Sequence, residues 1–358
     1  MSNARELAEL GGSYGTGGFV GMKNRIINGA MVIDQRNAGA SVTVNSAASL
    51  TYSVDRFYGY GQSSDGVFTL QQNSSVPTGQ GFAYSLKATV TTADASIGAT
   101  QLYQIGQRIE GYNVADFELG LASAATFTFS FWVRSSLTGT FGGALQNGGQ
   151  NRSYPFSYTI SAVDTWEKKT ITLTGDTSGT WLKTNGTGLE IIWGLGVGST
   201  YLGTANAWAG SYLSGVTGQT QVISTVSATF YITGVQLEKG STATSFDYRP
   251  YGTELQLCQR YFTNSWSGSG KWYTTTACSI YGRFPVTMRA SPTIVAVAAS
   301  PGSIEETGTA NRAVSAVASS NLIADGGVVT FTTATATLNA IGGVSNSVNS
   351  IATFSAEL

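Results

Sequence analysis

The sequence predicts an all-β protein. An antiparallel sandwich comes first, then a short helix and a second, smaller β-sandwich domain. A short N-terminal helix and a Gly-rich linker precede them. Three observations carry this reading. Segments that alternate apolar with polar residues recur along the chain, with no helical period between them. Glycine supplies 45 of 358 residues, well above the usual ~7%, as closely spaced turns require. Charged residues are only 11%, while Thr, Val, Tyr and Phe, which suit a pleated surface, are abundant.

The elements follow in order. Residues 2–10 read as a short helix, with Asn3 able to cap it, Glu6 three positions on, and Ala4, Leu7 and Ala8 on one strip. GGSYGTGGFVG (11–21) is a linker by composition. Residues 1–23 are thus either a docking peptide, working through Leu7, Ala8 and Leu10, or a frayed terminus. The first folded domain spans 24–250. Within it, 24–34, 52–57, 66–72 and 82–91 are candidate strands, 97–109 is extended, and 111–121 can form a helical turn.

TFTFSFWVRS (126–135) is the clearest strand. Phe127, Phe129, Phe131 and Val133 share one face and belong to the core; Thr128, Ser130, Trp132 and Arg134 share the other. An indole beside a guanidinium on a polar face suits sugar rings and hydroxyls, so Trp132 and Arg134 are candidate glycan ligands. Residues 166–174, 189–196 and 229–237 are further strands, the last with Gly234 as a bulge. The loop between 196 and 221 holds Tyr201, Trp208 and Tyr212. These rings either stack on sugars or pin the loop to the sandwich.

Residues 251–263 connect the two domains. Pro250 blocks a helix from upstream, Thr253 and Gln256 can form a capping box, and Leu255, Cys258 and Phe262 make the apolar stripe of a helix over 253–262. A helix this short needs a surface to pack on, either both domains or copies of itself. The distal domain, 264–358, has candidate strands at 271–284, 293–299, 312–319, 328–335 and 350–356. Ala and Val dominate them, so its core is expected to be lean. That expectation leads to a homotrimer, with a monomeric sandwich appended to a larger particle as the alternative.

Composition also excludes function classes. The net charge of −1 offers no basic excess for nucleic acid. No run is apolar and long enough to enter a membrane, and the start lacks the apolar core of a signal peptide. Without histidine there is no Ser-His-Asp or Cys-His catalysis. Cys258 and Cys278 have no metal-ligand spacing and read as packed free thiols. The acids are scattered, and Asp116 with Glu118 reads as a solvated turn, so no catalytic residue is assigned and the chain is not expected to be an enzyme. Asp34-Gln35-Arg36, Asp55-Arg56 and Asp247-Tyr248-Arg249 read as structural ion pairs.

Four stretches share a further feature. MKNRIINGAMVIDQRNAGAS (22–41), YSVDRFYGYG (52–61), GVQLEKGSTATSFDYRPYGTELQLCQRYF (234–262) and FPVTMRASPT (284–293) resemble, in this order, segments of bacteriophage tail-fibre and receptor-binding proteins. The resemblance implies a jelly roll of the carbohydrate-binding-module type. It implies a virion protein made in the host cytoplasm, joined through its N-terminus to other phage tail or virion proteins, and binding bacterial surface polysaccharide without catalysis. Alternatives are a purely structural decoration or adaptor protein, and a polysaccharide depolymerase, although no parallel β-helix repeat is visible. No cofactor is required. A structural calcium near the first and last strands, by Asn28, Asp34 and Asp247, is an option the resemblance adds.

Overall fold

The structure, a computed structural model, describes residues 22–45, 48–295, 303–306, 312–333, 336, 341–344 and 352–358. The candidate docking helix, with Leu7, Ala8 and Leu10, lies outside the described residues.

In chain order the first strands are β1 (Val42–Val44), β2 (Thr51–Tyr52), β3 (Tyr58–Gly61), β4 (Val67–Asn73), β5 (Ser85–Thr92), β6 (Leu102–Glu110) and β7 (Phe127–Ser135). They continue as β8 (Gly139–Gln146), β9 (Ser153–Ile160), β10 (Glu167–Leu173) and β11 (Thr187–Val197). Two short strands, β12 (Leu202–Gly203) and β13 (Gly215–Val216), pair in parallel within the next loop, and β14 (Thr229–Lys239) ends the series. Two six-stranded sheets result, β1-β4-β5-β14-β7-β10 and β2-β3-β6-β11-β8-β9. The chain crosses repeatedly from one sheet to the other, which makes an antiparallel jelly-roll sandwich.

The core lies between the sheets. Phe127, Phe129, Phe131 and Val133 are fully buried there, as their alternation predicts. Trp193 of β11 meets Phe129 and Phe131 at 5.5 and 5.6 Å between ring centres. Gly234 is the predicted bulge. The register between β14 and β7 shifts between Thr233 and Gln236, and Gly234 has φ +58°. A Cβ there would also lie 2.5 Å from the Phe82 ring.

Several expectations are corrected. Residues 24–34 form no strand. Asn28 and Met31 take left-handed φ of 61° and 58°, and the Asn28 side chain bonds Ile33 N, Ile33 O and Asp55 O, folding the segment into a buried corner. Residues 53–57 turn between β2 and β3 rather than forming one strand. Strands β8 and β9 are additional to those read from the sequence.

Helix α1 (Tyr251–Gln259) starts earlier than expected. Its N-cap is Pro250, with no side-chain cap, so Thr253 does not cap it. It stops before Phe262, which opens β15 (Phe262–Thr263). Cys258 and Tyr261 are fully buried against Ile27 and Ile33, with Leu255, Leu257 and Leu358 packed around them. Both cysteines are free and buried.

Beyond the helix come β16 (Ser267–Trp272), β17 (Ala277–Arg283), β18 (Thr293–Val295), β19 (Ser303–Glu306), β20 (Arg312–Ile323), β21 (Gly326–Thr333), β22 (Ile341–Val344) and β23 (Thr353–Ser355). Six of these close as a barrel, β16-β17-β21-β20-β19-β22, while β15, β23 and β18 form a small sheet. The smaller β domain thus wraps into a barrel rather than two facing sheets. Its core is not lean, since Trp266, Trp272, Phe331 and Phe354 fill it.

The arginines beside acids in the sequence do serve structure, but each takes a partner other than the acid next to it. Arg36 lies 3.4 Å from Asp55 and 2.6 Å from Glu357. Arg56, which is 1% exposed, pairs with Glu357 and stacks 3.5 Å from the centre of the Tyr261 ring. Arg249 pairs with Glu254 at 3.1 Å, not with Asp247.

Candidate functional site

The sandwich has two outer faces, and they differ in what covers them. On the second sheet, β6, β11 and β8 present Gln104, Gly106 and Arg108, then Glu190, Ile192 and Gly194, then Gly142, Ala144 and Gln146. Small residues at the centre let the 198–221 loop lie directly on the strands. A side chain at Gly142 would strike Val216 and Gln219. Gln146 Nε2 donates to Leu213 O at 2.5 Å, and Leu213 N donates to Ser153 Oγ at 3.1 Å.

Beside the loop, Tyr58 Oη donates to Glu190 Oε1 at 2.5 Å and Arg108 Nε donates to the same oxygen at 2.8 Å. Burial, reinforced by the Glu190 charge, pushes the Tyr58 hydroxyl well above the ordinary tyrosine range. This face is an interior in all but name.

Tyr201 and Tyr212 belong to that cover. They meet edge to face at 5.2 Å. Burial raises the Tyr212 pKa. Trp208 sits elsewhere on the loop. It packs against Tyr154 at 5.1 Å and Trp181 at 5.5 Å, and its Nε1 donates to Thr174 O at 2.8 Å. Its indole is therefore in contact with two rings and bonded at its polar edge.

The outer face of the first sheet is different. Trp132 and Arg134 stand together on β7, half-buried. Tyr231 of β14 pairs directly with Arg134 on one side and Lys87 of β5 on the other. Arg134 Cζ lies 5.0 Å and Lys87 Nζ 5.6 Å from the centre of the Tyr231 ring, and Trp166 meets that ring at 6.0 Å. Arg134 is steadied by Ser75 Oγ at 2.8 Å and Asp164 Oδ1 at 3.0 Å.

One row along, Trp132 pairs with exposed Lys168 of β10. Across Gly234 from Trp132 lies Phe82, which joins Phe246 and Tyr248 in a mutual ring cluster at 5.1, 5.6 and 4.8 Å. Tyr248 is 53% exposed and Tyr84 38%. Tyr231 and Phe82 are themselves buried, at 7% and 8% exposure, so the rings partly open to solvent on this side are Trp132, Trp166, Tyr84 and Tyr248.

The candidate ligands thus fall in three places: Trp132 with Arg134, Tyr201 with Tyr212, and Trp208 alone. Lys87, Trp166, Lys168, Tyr231, Phe82 and Tyr248 join the first pair and were not singled out from the sequence. Alternation in 82–91 and 229–237 marks Lys87 and Tyr231 as outward. Only the strand register shows that they are neighbours.

The calcium ligands considered above are otherwise engaged. Asn28 holds its corner, Asp34 accepts from Asn37 N and Gly39 N, and Asp247 accepts from Asn24 N. Among the described residues no group of three or more His, Cys, Asp or Glu could hold a metal, and no helix is long and apolar enough to cross a membrane.

No family model matches this sequence, and no curated protein does. Among solved structures, similar chains include the enzymatically active domain of tailspike protein 4 from bacteriophage CBA120 (14% identity, TM-score 0.32, covering 61% of this chain and 22% of that one). Another is TmCBM61 in complex with β-1,4-galactotriose (10% identity, TM-score 0.30, 61% of this chain and all of that one). A third is described as a "putative sugar binding protein" from Bacteroides thetaiotaomicron (13% identity, TM-score 0.33, 61% and 100%). At these scores the likeness bears on neither fold nor ligand, and both are argued from this chain's own strands and side chains.

Proposed function

We propose that this chain is a bacteriophage virion fibre protein that attaches to the particle through its N-terminal segment and binds host cell-surface glycan, without catalysis, on the outer face of the first sheet. One observation carries the glycan reading. Of the two sheet faces, this one leaves indole and phenol rings partly uncovered next to hydrogen-bonding cations. Flat rings accept the apolar face of a sugar, and the polar groups at their rim bond its hydroxyls.

The phage context is supported by the four sequence stretches that resemble tail-fibre proteins. The non-catalytic reading is supported by the engagement of the buried acids. Glu110 is held by Arg260 and Tyr261, Glu190 by Arg108 and Tyr58, and Asp176 by Arg152. The assembly is proposed to be a homotrimer, as expected from the sequence, although the filled barrel core removes the lean-domain argument on which that expectation stood. Light scattering should return a mass of three chains, and a single-chain mass would overturn it.

Pull-down on intact host cells tests the site. Wild type should bind. Trp132→Ala should lose at least about tenfold in affinity while its denaturation curve stays close to wild type. Unchanged binding by a folded Trp132→Ala protein would overturn the assignment. Polysaccharide viscosity should not fall on incubation, and a fall would establish depolymerase activity instead.

A further inference from the structure

The same face carries a charge pattern that narrows its ligand. Lys87, Tyr231 and Arg134 occupy one row across three adjacent strands, and Trp132 and Lys168 the next row on the same face. Neighbouring strands are about 4.8 Å apart, so Lys87 and Arg134 stand roughly 10 Å apart with one aromatic ring between them.

Arg134 is paired with Asp164. Among the described residues, neither Lys87 nor Lys168 has an ion pair. Glu238 and Asp247 are held by neutral donors of the chain and not by these lysines. Glu238 is 3% exposed, and its oxygens accept from Thr244 N, Thr244 Oγ1 and Gln236 Nε2. Asp247 accepts from Asn24 N. The chain as a whole carries −1, so two lysines without an ion-pair partner on one face reflect placement, not average composition.

We infer that the ligand of this face is an anionic polysaccharide, with sugar rings stacked on the half-buried Trp132 and acidic substituents paired with Lys87 and Lys168. The inference rests on the glycan-binding reading of the face given above. A neutral polymer would gain the ring contacts and leave both ammonium groups unused. An acidic polymer gains both, and long-range attraction speeds its encounter with the face.

The test is a microarray of bacterial capsular and O-antigen polysaccharides, each printed in native form and after carbodiimide–borohydride reduction of its carboxyl groups. Wild type should bind acidic polymers and lose at least about tenfold on reduction. Lys87→Gln with Lys168→Gln should weaken binding to native polymers about tenfold, at about threefold per exposed charge, and leave binding to reduced polymers unchanged. Binding should also fall with added salt. Equal binding to native and reduced polymers, or no effect of the lysine substitutions, overturns the acidic ligand and leaves the glycan site standing. No bound polymer, or binding indifferent to Trp132→Ala, overturns the glycan site itself. A change of assembly size in the lysine variant would assign the face to contacts between copies of the chain and overturn the inference.

Discussion

The two outer faces of the sandwich are built from the same strand geometry and have opposite fates. The second sheet puts glycine and alanine at its centre, and the chain covers them with its own loop. The first sheet leaves Trp132, Arg134, Lys87 and Lys168 partly or fully open, although Tyr231, Thr233, Gln236 and Glu238 on the same face are buried. Side-chain size therefore separates the face the loop covers from the one left partly open to a partner. Substitutions on the closed face should reduce stability, and substitutions on the open face should reduce binding.

The largest effect is expected at Glu190. It is 2% exposed and serves both Arg108 and Tyr58. Glu190→Ala strands a charge and a hydroxyl, and should cost about 3–5 kcal/mol in chemical denaturation. Retained stability would show that the closed face is wetter than its packing implies.

Next comes Asp55, at the rim of the joint. Burial, the largest cause, pushes its carboxyl from 3.8 up to about 6, against the pull of Arg36. The folded form therefore binds the proton more tightly than the unfolded chain. The cost of the buried charge is absent below the unfolded value and fully present above about 6. Stability should fall as pH rises from about 4 to 6, by up to about 3 kcal/mol, and Asp55→Asn should flatten that slope. A wild-type slope of opposite sign would mean that Arg36 dominates.

A smaller effect is expected at Trp208, which pins the loop while only half-buried. Trp208→Ala should cost about 2 kcal/mol, with little change in glycan affinity. A large loss of affinity would return the loop to the binding surface. The smallest effect on stability belongs to Trp132→Ala, under about 1 kcal/mol, although its effect on binding is the largest.

Local alternation made much of this legible. The phenylalanines of β7 declare their inward face because a strand repeats every second residue. The same rule marks Trp132, Arg134, Lys87 and Tyr231 as outward. It does not say which strands are neighbours, so the row from Lys87 to Arg134 became visible only with the register. Strand β8 escaped notice because GTFGGALQ looks like a linker. Its glycines are there to receive Val216, Gln219 and Phe156, contacts made by residues far along the chain. Residues 24–34 misled in the other direction. Their apolar alternation is real, and Ile26, Met31 and Ile33 are buried. The left-handed turns at Asn28 and Met31 override it, and asparagine before glycine was the available hint.

The clasp of Arg36 and Arg56 on Glu357 has a consequence for how the molecule comes into being. Its partners are separated by 321 and 301 positions. During synthesis the carboxylate of Glu357 reaches these arginines only when nearly all the chain described here has left the ribosome. Closure of such a distant contact is entropically slow, so the joint should be the last part of the molecule to become rigid.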